Sequence, residues 1–270
     1  MRDIMTKHLM FIHQTSSSTL SYYHGKELDD VQKFCLGLID RLNLSSTSIS
    51  LLLSHLDEEP KHEYSLGIIM RSCLLDSLIS MNVYEITLDS KEKNESREVL
   101  DSRIADFCKT ILSDGLHKAF DHFEDLKNSN LIKEEVLSSI YNDFGTKEEM
   151  LLEPHSGDGS KPKPKFKKVY SPRQLYTNLR KNKELKLIGA ALYDSYAYFS
   201  KYDHFGYFYF QFRLEDLDKK LIIYSKAIQN SVASMNLLLN VLSNFSPNDE
   251  LITKLCYASD NYLNDIVNKK

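Results

Sequence analysis

The chain has 270 residues, of which 42% are hydrophobic and 27% charged, and its formal net charge is −4. This composition is typical of a globular protein with a buried core, and it excludes wholesale disorder. Nine glycines and six prolines are too few for the many turns of sandwiches, barrels or doubly wound sheets, so long helices are expected.

Apolar residues recur at helical spacing along most of the chain. From Asp30 to Leu42 they follow the i, i+3, i+4, i+7 pattern of an amphipathic helix. Further helices are predicted over residues 45–56, 60–83, 95–112, 116–126 and 132–144, with Gly115 and Gly145 as stops. Ser171 and Pro172 restart the pattern, and helices follow over 185–202, 214–242 and 247–267. The sequence therefore predicts an all-α, multi-helix bundle of about eight to ten helices.

Two stretches interrupt this periodicity. Residues 1–26 are polar and serine-rich, and we expect a loose N-terminal lead-in there. Residues 27–270 are expected to form a single helical domain, with a loop insertion at about 146–170, where lysines, prolines and glycines replace the apolar pattern. A loop of this length in a compact domain is usually functional or disordered.

The four cysteines, Cys35, Cys73, Cys108 and Cys256, lie far apart with no CxxC pair. They are predicted to be buried free thiols in a reducing compartment. The apolar run at residues 9–12 is too short for a secretory signal, and no stretch approaches 18 apolar residues. A cytoplasmic protein that does not contact a membrane is expected.

The charge is unevenly distributed. Residues 161–186 hold ten basic residues against Glu184, a net charge of +9, which leaves −13 on the rest of the chain. Such a segment indicates either an anion-binding face or a solvated loop that docks on the protein's own acidic helices. The predicted anion-binding residues are Lys161, Lys163, Lys165, Lys167, Lys168 and Arg173.

An aromatic-rich stretch follows the basic segment. Eleven of the twenty residues at 193–212 are Tyr or Phe. Most of them must pack in the core, but aromatic side chains beside positive charge can also stack on nucleobases or line a small-molecule pocket. The alternating residues 207–210 are compatible with a short strand.

Two sets of polar residues are candidates for chemistry. On a helix, Ser200 would lie one turn from His204, whose imidazole could act in acid–base catalysis, contact phosphate, or serve as a hydrogen-bonded structural group. Arg71 and Asp76 interrupt an apolar helix, so each is expected to find a partner on another helix, although an inward-facing Arg71 could bind an anion.

A divalent metal site is a further alternative. His117, Asp121 and Glu124 share one helical face, but a second helix would have to complete the ligand set. Neither a metal nor a cofactor is predicted.

The pattern of Tyr196, Ser200 and His204 late in the chain, with Arg71 in an earlier apolar helix, resembles helical bacterial proteins related to the HEPN superfamily. The resemblance implies a helical bundle that is often dimeric. It also implies either a metal-independent ribonuclease of defence or toxin–antitoxin systems, or a catalytically silent partner that binds nucleotide or RNA. Active members carry an arginine four to six residues before the histidine. Here Lys201 is the nearest basic residue before His204, and only Arg2 and His8 match that spacing.

Two functions follow as hypotheses. The first is a non-enzymatic bacterial-type module that contacts RNA, nucleotide or another anionic or protein partner through residues 161–186. The alternative is a metal-independent ribonuclease that uses His204 and Ser200 with Arg71 or Lys201.

Overall fold

The computed structural model describes residues 1–56, 62–129, 132–144, 146, 152, 170–203, 216–246 and 249–268. These residues form nine α-helices and one 3₁₀ helix, which confirms the predicted all-α multi-helix bundle. The helices are α1 (Arg2–Tyr23), α2 (Asp30–Ser54), α3 (His62–Glu92), α4 (Arg97–Asn128), α5 (Glu134–Phe144), α6 (Pro172–Leu179), α7 (Lys186–Phe199), α8 (Leu217–Phe245) and α9 (Glu250–Asn268); the 3₁₀ helix Ser200–Asp203 follows α7. The strand predicted at 207–210 lies outside the described residues.

The chain divides into two compact units, where the sequence predicted one domain. The larger unit comprises Met1–Asp101 and Pro172–Lys270. Its centre is α3, which contacts α2, α6, α7 and α8, while α1 and α9 pack on α8. The smaller unit, Ser102–Ser171, holds most of α4 together with α5. Within it the rings of Phe120 and Tyr141 stack, and Lys127 pairs with Glu134 at 3.0 Å.

The expected loose lead-in is wrong, because residues 2–23 form the packed helix α1. Met5, Leu9 and Ile12 are buried in the core, and so are Thr15, Ser16 and Thr19 of the serine-rich part. Thr19 donates its hydroxyl proton to the carbonyl of Thr15 at 2.8 Å. Short hydroxyl side chains that satisfy themselves on the preceding turn can be buried at helical spacing, although a hydropathy pattern counts them as polar.

Two predicted helix breaks are also absent. The sequence predicted that a new helix begins at residue 45, but α2 runs through residues 45–47. Ser46 and Thr47 instead donate to the carbonyl of Asn43, at 2.8 and 3.0 Å. Gly115 lies inside the continuous helix α4 and does not stop it. A glycine ends a helix when it adopts a positive φ, and the backbone of Gly115 does not do so.

Helix α3 is long and apolar enough to cross a membrane by length and composition, and it is the one such helix among the described residues. In its most apolar 18-residue window, 72% of the residues are buried inside the protein. The core helix of a soluble protein passes the same test, so this property of α3 is weak evidence for a membrane span.

The four cysteines are buried and free, as the sequence predicted. Cys73 on α3 lies 3.2 Å from the hydroxyl of Ser231 on α8. Burial raises the pKa of the Cys73 thiol to about 12, so this side chain is an uncharged packing group at neutral pH.

Candidate functional site

The structure describes only part of the predicted site. His204 and Lys161, Lys163, Lys165, Lys167 and Lys168 lie outside the described residues. Arg71 is half-buried on α3, Arg173 is exposed on α6, and Ser200 and Lys201 are half-buried in the 3₁₀ helix. The described part of the candidate site therefore consists of Arg71, Arg173, Ser200 and Lys201, together with the side chains that surround them.

Arg71 lies against the aromatic helix α7. Its guanidinium carbon is 5.7 Å from the centroid of the Tyr196 ring, a distance at which a cation is attracted to an aromatic face. Tyr196 is itself buried, and its ring is 6.4 Å from that of Tyr193, one turn earlier on α7. Arg71 and the aromatic helix α7 are therefore in contact.

The aromatic contacts continue onto α6. The rings of Tyr193 and Tyr176 stack face to face, with centroids 4.7 Å apart and planes within 5°. The guanidinium carbon of Arg180 is 5.9 Å from the Tyr176 ring. We call Tyr176, Tyr193 and Tyr196, with Arg180 at one end and Arg71 at the other, the tyrosine ladder.

A close approach of α6 and α7 builds this ladder. A Cβ atom on Gly189 would come within 3.1 Å of the Leu179 side chain, so the glycine lets the two helices meet closely. Gly189 precedes Tyr193 by one helical turn, and Leu179 follows Tyr176 by about one turn. The packed pair therefore lies beside the stacked pair and fixes its spacing.

The surroundings of the ladder are basic. Its rings Tyr176 and Tyr193 are half-exposed, and Arg180 is exposed. Other exposed cations on and between α6 and α7 are Arg173, Lys181, Lys183 and Lys186, and the acids there are Glu184 and Asp194. Partly open rings next to positive charge can stack on bases while the cations contact phosphate. The sequence did not single out Tyr176, Tyr193 and Arg180 as a set, because the stack of Tyr176 on Tyr193 joins separate helices.

The expected pairing of Ser200 with His204 assumed a continuous α-helix, and that assumption is wrong. Helix α7 ends at Phe199, and Ser200–Asp203 is a 3₁₀ helix. The Ser200 hydroxyl donates its proton to the carbonyl of Ala197 at 2.8 Å. A hydroxyl committed to a backbone carbonyl in this way is a local turn contact, and none of the described residues around Ser200 marks it as an activated nucleophile.

Asp76 does find its partner on another helix, as predicted. Arg41 on α2 donates from Nε to Oδ2 of the buried carboxylate at 2.9 Å. Burial raises the pKa of Asp76, although Arg41 acts in the opposite direction. This pair joins α2 to α3, so Asp76 is a structural residue rather than part of the site around Arg71.

A second buried polar cluster was missed by the sequence analysis. Lys220 on α8 is only 3% exposed, and its ammonium lies 2.9 and 3.0 Å from the two carboxylate oxygens of Glu63 on α3. Tyr202 donates to the same carboxylate at 2.8 Å, and its hydroxyl is 3.5 Å from that of Tyr224. Lys220, Tyr224 and Ile228 are spaced i, i+4, i+8, and this spacing is the signal in the sequence that could have indicated a buried position for the lysine.

Burial, reinforced by the neighbouring Tyr224, raises the pKa of Tyr202 well above its ordinary value. The phenol therefore stays protonated at physiological pH, and it donates its proton to Glu63. The cluster anchors the turn that leads from α7 toward residue 204.

The metal alternative gains no support in the described part of the chain. His117, Asp121 and Glu124 lie along α4. Among the described residues, no group of three or more His, Cys, Asp or Glu side chains is placed to hold a metal ion.

No protein-family model, no curated protein and no solved structure matches the chain. The geometry of the chain's own residues is thus the basis for a functional proposal.

Proposed function

We propose that this protein binds single-stranded RNA without cleaving it, with bases stacking at the tyrosine ladder and phosphates contacting the basic segment 161–186. The stacked pair Tyr176 and Tyr193, flanked by Arg180, is the observation that carries the proposal. Single strands suit such a surface because their bases are free to stack on aromatic rings.

The charge distribution supports an anionic partner. A segment of net charge +9 on a chain of net charge −4 concentrates positive potential on the part of the sequence that contains α6 and the start of α7. Phosphate contacts release counterions, so the affinity should fall steeply as salt rises. A protein partner that docked on apolar surface would show little such dependence.

The test is fluorescence anisotropy with a labelled oligoribonucleotide of mixed sequence. Tyr193→Ala should weaken binding by roughly 5- to 150-fold, the worth of one stacked base, whereas Tyr193→Phe should retain most of the affinity. Tyr257→Ala is the matched control, since this tyrosine is 70% exposed on α9. Equal affinities for the wild type, Tyr193→Ala and Tyr257→Ala would overturn the stacking role.

The phosphate contacts are tested separately. Neutralising Lys161, Lys163, Lys165, Lys167 and Lys168 to Gln should weaken binding and reduce the slope of log affinity against log salt, by about one for each lost phosphate contact. An affinity that ignores both salt and these substitutions would exclude RNA as the partner of the segment.

The second candidate function is a metal-independent ribonuclease that uses His204 with Arg71 or Lys201. It is favoured by the position of Arg71 over Tyr196, eight residues before His204 in the sequence. A guanidinium near a histidine could stabilise charge on a phosphate during cleavage. RNA cleavage in EDTA that disappears in His204→Ala and Arg71→Ala, but persists in Arg173→Ala, would favour this function. A fully active His204→Ala variant would exclude it.

A further inference from the structure

The turn between α6 and α7 carries cations and exposed aliphatic side chains next to one another. We call residues 180–188 the basic tip. Leu187, in the first turn of α7, is 78% exposed, more than any other large hydrophobic side chain in the described part of the chain, and Ile188 is 43% exposed. Glu184 is the one acid of the basic tip. Its cations are all exposed, namely Arg180, Lys181, Lys183 and Lys186.

The backbone of the basic tip is held by hydrogen bonds and by buried leucines. The side-chain oxygen of Asn182 accepts from the backbone amides of Glu184 and Leu185 at 2.9 and 3.3 Å. Its carbonyl accepts from the amide of Lys186 at 3.0 Å. The side chains of Leu179 and Leu185 are buried in the core. The exposed aliphatic side chains therefore stay at the surface of the folded protein.

We infer that the basic tip docks on the surface of an anionic lipid bilayer. Such a surface has negative headgroups directly above an apolar layer, and segments that bind it combine Lys and Arg with large apolar side chains. The cations of the basic tip contact the headgroups, while Leu187 and Ile188 enter the boundary of the acyl layer. No membrane contact was expected from the sequence because it lacks a long apolar run, but docking at the surface requires no spanning segment.

The combination of side chains favours lipid over other partners. RNA phosphates would pair with the cations but leave Leu187 in water, without the gain from its burial. An apolar groove on a protein would cover Leu187 but desolvate the neighbouring cations without a counter-charge, which is costly. A lipid surface satisfies both groups, because Lys and Arg keep their charged ends among the headgroups while apolar side chains lie deeper.

The test is co-sedimentation of the full chain with vesicles of phosphatidylcholine alone and of phosphatidylcholine mixed with phosphatidylglycerol. We expect binding to the mixed vesicles only, and weaker binding as the salt concentration rises. Leu187→Ser should weaken binding about tenfold, since the burial of one leucine is lost. Lys181→Gln should weaken it about fivefold, since one cation is lost. Leu51→Ser is the matched control, because this leucine is 62% exposed on α2, and it should bind like the wild type.

Absence of binding to the mixed vesicles, or equal binding to the neutral ones, would overturn the inference. Equal affinities of the wild type and Leu187→Ser, or equal losses in Leu187→Ser and Leu51→Ser, would also overturn it.

The cations of the basic tip also belong to the segment 161–186 proposed to contact RNA, so the two surfaces are separated by their other residues. Leu187→Ser should retain RNA affinity, and Tyr193→Ala should retain vesicle binding. RNA binding by a protein that does not bind vesicles would assign these cations to RNA and overturn the lipid docking. Vesicle binding without RNA binding would support the docking and overturn the proposed function instead.

Discussion

Tyr202 donates a 2.8 Å hydrogen bond to Oε1 of Glu63, the same carboxylate that pairs with the buried ammonium of Lys220. Three elements meet at this carboxylate, namely α3, α8 and the 3₁₀ helix after α7. A buried ion pair is stable only while its charges and remaining hydrogen bonds are satisfied. The Tyr202 hydroxyl supplies one of those bonds, so the cluster depends on all three elements.

Removal of one charge from this cluster should be costly. Lys220→Met leaves the Glu63 carboxylate without its counter-charge, and we expect a loss of about 3–5 kcal/mol in the free energy of unfolding. Urea unfolding followed by circular dichroism measures it. The neighbouring exposed Lys219→Met should change stability by no more than about 0.5 kcal/mol. Equal losses of stability in Lys219→Met and Lys220→Met would show that the ion pair of Lys220 with Glu63 does not contribute to the free energy of unfolding.

Removal of both charges should be better tolerated. The double variant Glu63→Leu with Lys220→Met replaces the pair by apolar groups, and should be more stable than Lys220→Met alone. A double variant that is less stable than the single variant would contradict a cost that arises from an uncompensated carboxylate.

Gly67 on α3 is expected to be irreplaceable by alanine. A Cβ atom there would overlap the ring of Tyr202, whereas a Cβ atom on Gly37 of α2 meets no atom within 4 Å. Gly67→Ala should therefore destabilise the protein by about 1–3 kcal/mol through overpacking. Gly37→Ala should stabilise it by about 0.5–1 kcal/mol, because alanine favours the helix. Thermal unfolding measures both effects: the midpoint should fall in Gly67→Ala and rise in Gly37→Ala, relative to the wild type. Shifts of the same sign in the two variants would contradict this prediction.

Arg41 should be needed to hold the buried carboxylate of Asp76. Arg41→Ala leaves this acceptor without its charged donor, and we expect a loss of about 1–3 kcal/mol at neutral pH. Asp76→Asn in the same background should recover part of that loss, since an amide is cheaper to bury than a carboxylate. The urea midpoints of Arg41→Ala and of the double variant measure this recovery. A midpoint of the double variant that is equal to or lower than that of Arg41→Ala would show that the unpaired carboxylate is not the source of the lost stability.

His8 should make the stability of the protein depend on pH. Its Nδ1 is 2.9 Å from the Tyr262 hydroxyl, its Nε2 has no hydrogen-bond partner among the described residues, and burial lowers its pKa from 6.5. The unfolded chain then binds this proton more readily than the folded protein does. Stability is therefore full above about pH 6.5 and falls as the pH drops toward the lowered pKa.

The measurement is the free energy of unfolding in urea between about pH 7 and pH 5. His8→Gln should flatten the profile relative to the wild type. The difference between the two proteins isolates His8 from Asp76, whose raised pKa changes stability in the opposite sense as the pH falls. Parallel profiles would show that His8 is protonated equally in both states.

The helical fold could be predicted because its signals are local. The start of α2 is one example, since Asp29 accepts from the backbone of Gln32 and Gln32 reaches back to Asp29, a capping box encoded in four adjacent residues. The secondary-structure predictions were wrong where the position of a residue in the fold differs from the position that its residue type suggests. The buried residues Thr15, Ser16 and Thr19 of α1 made this helix resemble a polar tail in the sequence. Gly115 was predicted to end a helix because the sequence does not give the sign of its φ angle.

The candidate site was less predictable because its contacts are tertiary. The importance of Arg71 follows from a charge in an apolar helix, and the aromatic content of α7 is visible in the sequence. The stack of Tyr176 on Tyr193 joins residues on different helices, and it depends on the close packing of Gly189 on Leu179. No periodicity within one helix encodes such a contact.

The overlap between a residue at position 67 and the ring at position 202 also has an evolutionary consequence. A larger side chain at 67 is compatible with the fold only where the ring at 202 has been lost, so the two positions should covary across homologous sequences. Lineages that retain an aromatic residue at 202 should retain glycine at 67, and divergence at either position should mark the point at which the other became free to change.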